Sequence, residues 1–150
     1  MYEKYNVKEI RILPASSKLE FPLEEKFREY LRHELPKDNE GEYWYREYGI
    51  EVDADSEILV LFWHSGKAVG CGILHGREKF DEKIGDYKGR LLFYPETIFN
   101  ISEITEDEIH KYSDIPKSIR QGSPKIDISA KDEILKLIYD KWKDYNWLLQ

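Results

Sequence analysis

Apolar positions along this chain fall into three patterns. Short unbroken runs come first: Ile58 to His64 (ILVLFWH), then Ala68 to Leu74 (AVGCGIL), separated by Ser65-Gly66-Lys67. Runs this short, rich in Val, Ile, Phe and Trp and joined by a glycine turn, predict a β-hairpin. Helical spacing comes second. Leu23, Phe27, Leu31 and Leu35 follow Pro22 and predict a helix that ends at Pro36. Ile134, Leu135, Ile138, Trp142, Tyr145 and Leu149 form one apolar stripe on a last helix, with Ser129 as its cap. Alternation comes third, around Ile10 and Ile12, and predicts a first strand from Val7 to Leu13. Gly89 to Tyr94 and Thr97 to Ile101 also read as extended. Thr105 to Glu108 has the capping-box signature of a short helix running to Tyr112. Two stretches read as irregular: His75 to Lys88 as a long polar loop, and Ile115 to Ile128 as a loop ending in a short extended piece.

The hairpin has two possible registers. A two-residue loop at Ser65-Gly66 sets His64 opposite Lys67, Phe62 opposite Val69, Val60 opposite Cys71 and Ile58 opposite Ile73. Trp63 then faces Ala68, and Leu61 and Leu59 face Gly70 and Gly72. A three-residue loop, His64 to Gly66, swaps the faces of the second strand. Glycine inside a strand marks a bend or the close approach of a ligand or backbone. Consecutive central strands imply antiparallel pairing, hence an α+β fold with a small barrel flanked by helices. The length, 150 residues, suits one domain.

Composition narrows the function classes. The single cysteine, Cys71, excludes an internal disulfide and a cysteine-rich zinc site. No run approaches a membrane span, and the charged start MYEKYNVKEI lacks a signal-peptide core, so a cytoplasmic protein without membrane partners is expected. Many charges with few Gln, Met or Cys match a thermophile's composition. The net charge of −7 opposes a nonspecific nucleic-acid coat. Basic residues nevertheless outnumber acidic ones in His64–Arg90 and again in Lys111–Lys125. A basic face exists if the fold joins those segments.

Enzyme signatures are missing. His33, His64, His75 and His110 form no metal-binding pair, and no nucleophile elbow, Walker loop or dinucleotide fingerprint occurs. The acids Glu51, Asp53, Asp55 and Glu57 lack an EF-hand glycine pattern and read as solvated. No catalytic residue, metal or cofactor is expected. A binding module fits better. Aromatic rings stack on bases while Arg and Lys hold phosphates. Trp63 stands at a strand end, Tyr43, Trp44, Tyr45 and Tyr48 cluster in EYWYREYG, and Arg120, Gln121 and Lys125 share an irregular loop. The aromatic cluster reads first as a strand or loop whose rings pack on the core, and second as a wall for a planar ligand.

The stretch LVLFWHSGKAVGCGIL, Leu59 to Leu74, resembles the strand-turn-strand of the PUA-like superfamily, with its EVE, ASCH and YTH branches. YKGRLLFYPETIFNISEI, Tyr87 to Ile104, resembles the strand pair that follows in those families, and IRQGSPKIDI, Ile119 to Ile128, their late basic loop and closing strand. The likeness covers roughly a third of the chain, in the expected order. It implies a β-barrel with flanking helices that binds RNA or DNA, in YTH and EVE relatives through an aromatic cage for a flipped, modified base. Such domains also serve as specificity modules of McrBC-type modification-dependent restriction systems, and this chain looks similar to an archaeal example. The expected partner is therefore nucleic acid, DNA ahead of RNA, with further restriction subunits or domains. On that resemblance Trp44, Tyr45, Trp63 and Tyr94 are candidate cage walls, with His64, Ser65 and Lys67 at the turn beside them. Lys117, Arg120, Gln121 and Lys125 are the candidate strand-contacting residues. An interaction domain that has lost nucleic-acid binding is the alternative.

Overall fold

A computed structural model describes residues 1–15, 21–46, 49–53, 55–119 and 122–148. Among the described residues, seven strands and three α-helices make a mixed α+β fold: β1 (Val7–Pro14), α1 (Glu24–Glu29), β2 (Glu42–Tyr45), β3 (Glu57–His64), β4 (Lys67–Ile84), β5 (Tyr87–Phe93), β6 (Phe99–Thr105), α2 (Glu106–His110), β7 (Lys125–Ile126) and α3 (Lys131–Leu148). The sheet runs β2-β5-β4-β3-β1-β7, with β6 also paired to β4. Among the described residues no ladder joins β2 to β7, so the sheet is open rather than closed into the expected barrel. Pairing is antiparallel except for β1 beside β3, which is parallel.

The long β4 is the axis. Its first half pairs with β3 on one edge and β6 on the other; its second half pairs with β5. Ser65 and Gly66 both have positive φ, as a two-residue type I′ turn requires. His64 faces Lys67 and Trp63 faces Ala68, as the shorter loop predicts. A bulge at Val69 then slips the ladder by one, so Phe62 faces Gly70, Val60 faces Gly72 and Ile58 faces Leu74. The extra residue could not be read from the sequence, because either register buries apolar side chains on both faces.

Both faces of this central hairpin are covered. Ile10, Ile12, Leu59, Leu61, Trp63 and Cys71 pack with Ile101, Ile104 and the α3 residues Ile134 and Ile138. Ile58, Val60, Phe62 and Val69 pack on the other side with Phe27, Leu31 and Leu35. The glycines serve that second layer: a Cβ at Gly70 would lie 2.6 Å from Leu31 Cδ1 and 3.0 Å from the Phe99 carbonyl oxygen. Gly70 thus admits a helix, not a ligand.

The first helix does not stop at Pro36. After Glu29 the chain widens into a π-helix, Tyr30–Asp38, with Pro36 inside it. An α-helical turn would drive the proline ring into the carbonyl four residues back. The wider winding avoids this, and Asn39 N–H donates to the Glu34 carbonyl at 2.7 Å. Leu23, expected on the buried stripe, is exposed. At the other end of the chain, Asp127 rather than Ser129 caps the approach to the last helix. Its carboxylate accepts the Ser129 N–H at 3.0 Å, and a single 3-10 turn, Ile128–Ala130, leads into α3. Trp142, on the expected stripe, packs against Phe99, whereas Trp147, off it, is exposed. The Thr105 capping box forms as predicted, although the helix it opens ends at His110.

The largest departure is His75–Lys88. This stretch is not a loop but a ribbon: β4 continues to Ile84 and turns at Gly85 into β5. With β2 it forms a three-stranded arm whose outer face is half-buried to exposed.

Candidate functional site

The arm is built by alternation. In EYWY, Tyr43 and Tyr45 point inward and are buried, while Trp44 points outward. A Trp between two inward Tyr residues therefore has one free direction, set by the strand period. Arg90 lies directly across from Trp44, and Glu78 across from Arg90. The Arg90 guanidinium bridges Glu42, at 2.7 Å, and Glu78. Those carboxylates, Glu78 foremost, hold its pKa above the usual value. Phe80, two residues beyond Glu78, meets the Trp44 ring edge-on at 5.1 Å, and Tyr87 meets it at 5.6 Å and 90°. Trp44, Phe80 and Tyr87 form a three-ring corner.

That corner opens onto a groove of about 730 Å³ between the arm and the π-helix. Trp44, Tyr87, Tyr30 and Phe21 supply its aromatic surface; Glu34, Asp38, Glu40, Glu42 and Asn39 supply acceptors. The acidic rim is strapped in place. Gly41 N–H donates to the Leu35 carbonyl at 2.7 Å, and Phe93 N–H to the Gly41 carbonyl at 2.9 Å. Gly41 adopts φ +84°, where a side chain would be strained and would strike the Phe93 carbonyl. Arg46 stands over Tyr87 at 5.0 Å and pairs with Asp86 at 3.1 Å. Such a groove can stack a planar group and accept hydrogen bonds from its N–H groups.

The expected wall residues occupy separate places. Trp63 is 1% exposed in the core beneath α3, so it cannot line an open pocket; its indole N–H meets no acceptor among the described residues. Tyr45 is buried, its ring occupying the space beside Gly89 where a Cβ would sit. Tyr94 lies at the far end of β5, stacked on His75. Of the four candidate walls only Trp44 reaches the groove. His64 and Ser65 act on it indirectly. His64 Nε2–H donates to the Phe21 carbonyl at 2.8 Å, and Ser65 Oγ lies 2.9 Å from His64 Nδ1, so the pair holds a groove wall.

The basic residues do not converge either. Lys67 bridges Glu103 and Glu24, both at 2.9 Å, and these carboxylates raise its pKa. Lys125 lies 3.4 Å from Glu9 at the opposite edge of the sheet. Arg77 approaches Glu51 at 4.0 Å. Lys117 is exposed, while Arg120, Gln121 and Tyr48 lie outside the described residues. Exposed Lys79, Lys83 and Lys88 sit on the arm beside the corner and make no ion pair among the described residues.

Cys71 offers no chemistry. It is fully buried, bonds the Tyr2 hydroxyl at 3.1 Å, and burial pushes its thiol up to about 12, leaving no thiolate at neutral pH. Among the described residues no three His, Cys, Asp or Glu side chains group as a metal site.

The sequence reading missed Phe80 and Tyr87. Their signal was available: each is an isolated aromatic within a strongly charged stretch. Compared with known proteins, the chain matches no family model and no curated sequence.

Proposed function

We propose that this chain is a noncatalytic nucleic-acid-binding module that takes a modified base, extruded from its strand, into the groove beside Trp44. The single observation that carries the reading is the Trp44–Phe80–Tyr87 corner at an open groove rimmed by acceptors. Aromatic faces stack any base, and an added methyl group gains from the same apolar walls. Carboxylates and Asn39 accept the exocyclic amino N–H groups of adenine or cytosine. Lys79, Lys83 and Lys88 flank the corner and neutralise backbone phosphates, which offsets the acidic rim. The shared β4, flanked by two helical layers, is consistent with an opened PUA-like barrel, and the resemblance to restriction specificity modules favours DNA over RNA.

Labelled oligonucleotides, methylated and unmethylated, single- and double-stranded, test this at two salt concentrations. The reading expects binding that prefers the methylated strand, weakens with salt and is lost in Trp44→Ala. Binding indifferent to methylation would make the chain a general backbone binder. No binding at low salt would favour the second reading, a protein-interaction domain, which the pairing of Lys67, Arg77, Arg90 and Lys125 with carboxylates supports.

A further inference from the structure

The outer face of the arm carries a second aromatic group that the groove does not use. Arg90, Leu92 and Tyr94 alternate along one side of β5 and its end; a Cβ at Gly76 would touch the Leu92 side chain from that same side. Arg90 faces Trp44, so Tyr94 shares a surface with the corner, about 13 Å further along at the antiparallel rise. The ladder between β4 and β5 slips between Leu74 and Gly76, which makes His75 the bulged residue. A bulge re-aims a side chain. Here it turns the exposed imidazole of His75 onto Tyr94, with centroids 4.3 Å apart and planes at 22°. Tyr94 in turn meets Tyr5 at 5.3 Å, the two rings tilted by 31°, and Lys4 Nζ lies 5.3 Å from the Tyr5 centroid. Glu96 accepts the Tyr5 hydroxyl at 3.3 Å. With Tyr94 held between His75 and Tyr5, the exposed imidazole of His75 is left for stacking.

We infer that the His75–Tyr94–Tyr5 stack is a second base-stacking position, so that the arm's outer face takes a short single-stranded segment and not one base alone. This rests on the nucleic-acid reading of the groove. One base enters beside Trp44, and a neighbour in the same strand extends the stack on His75. A sequence-tolerant stack suits this role, since every base has a π-face. Leu92 lies between the two positions, and Lys88, two residues before Arg90 on the same face of β5, meets the strand's backbone on the far side of the corner.

The test compares a modified nucleoside with a single strand of about six nucleotides carrying the same modified base, against the full chain and its variants. In wild type the strand binds more tightly than the nucleoside. His75→Ala, at an exposed position, is expected to lower strand affinity about five- to a hundredfold, the range for losing one stacked base, and so to shrink the strand-to-nucleoside ratio. Tyr94→Ala is expected to do the same. If both variants keep the wild-type ratio while Trp44→Ala abolishes binding, the second position is wrong and the groove reading stands. If Trp44→Ala binds as wild type, the groove reading fails and takes this inference with it.

Discussion

One strand, two environments: β4 is wholly buried from Ala68 to Leu74 and half-buried to exposed from His75 to Ile84. The first half is gripped by β3 and β6 and covered on both faces, and its aromatic neighbour Trp63 is spent on the core. The second half has β5 and β2 on one edge and, among the described residues, no helix over its outer face, and there Trp44, Phe80 and Tyr87 stay partly exposed. The same chemistry, an indole beside a strand, is therefore packing in one half and a ligand surface in the other. What decides is how many layers cover the strand, not residue type.

The comparison can be broken by measurement. The largest effect is expected for Trp63→Ala, a loss of about 3–5 kcal/mol in urea unfolding; a loss under about 1 kcal/mol would mean that this half of β4 is not the core. Next comes a matched pair on one strand. Ile73→Ala, fully buried, costs about 2–5 kcal/mol, whereas Ile84→Ala, at 53% exposure, stays within about 0.5 kcal/mol. Equal losses would erase the distinction. Gly70→Ala drives a methyl into Leu31 and costs about 1–3 kcal/mol; an unchanged midpoint would show that the π-helix does not press there.

Smaller still is Thr105→Ala at the cap of α2, about 1 kcal/mol. The cap carries a pH signature. Burial raises the Glu108 carboxyl, but the Thr105 N–H and Lys141 outweigh it, so the folded pKa lies below the usual value. Glu108 therefore contributes stability above its unfolded pKa, and loses it as pH falls through the folded one. Glu108→Gln, which removes the titrating carboxyl, should flatten that acid limb; an identical acid limb would exclude Glu108 as its source.

Much of this was legible in the chain. The hairpin, its turn, the capping box and the apolar stripe of α3 follow from periodicity and local chemistry, which are short-range signals. The bulge at Val69 was not, because Gly70-Cys71-Gly72 satisfies a buried layer in either register. The arm was hidden because Arg77 to Lys88 alternates weakly and is polar on both sides. A two-stranded ribbon in water needs no apolar face to read. Trp63 looked like a site because a strand-end Trp is conspicuous; only tertiary cover by α3 and Ile12 removes it. Trp44 was legible as one of two outcomes, and the strand period chose between them.

The most direct measurement of the central claim is the set of tryptophan indole N–H signals by NMR during titration with a methylated nucleoside. The chain has four Trp, each assignable by a single substitution. The account predicts that the Trp44 signal shifts and saturates while Trp63, sealed beneath α3, does not move. A shift at Trp63 with Trp44 unmoved would contradict it and return the site to the strand end beside the hairpin turn.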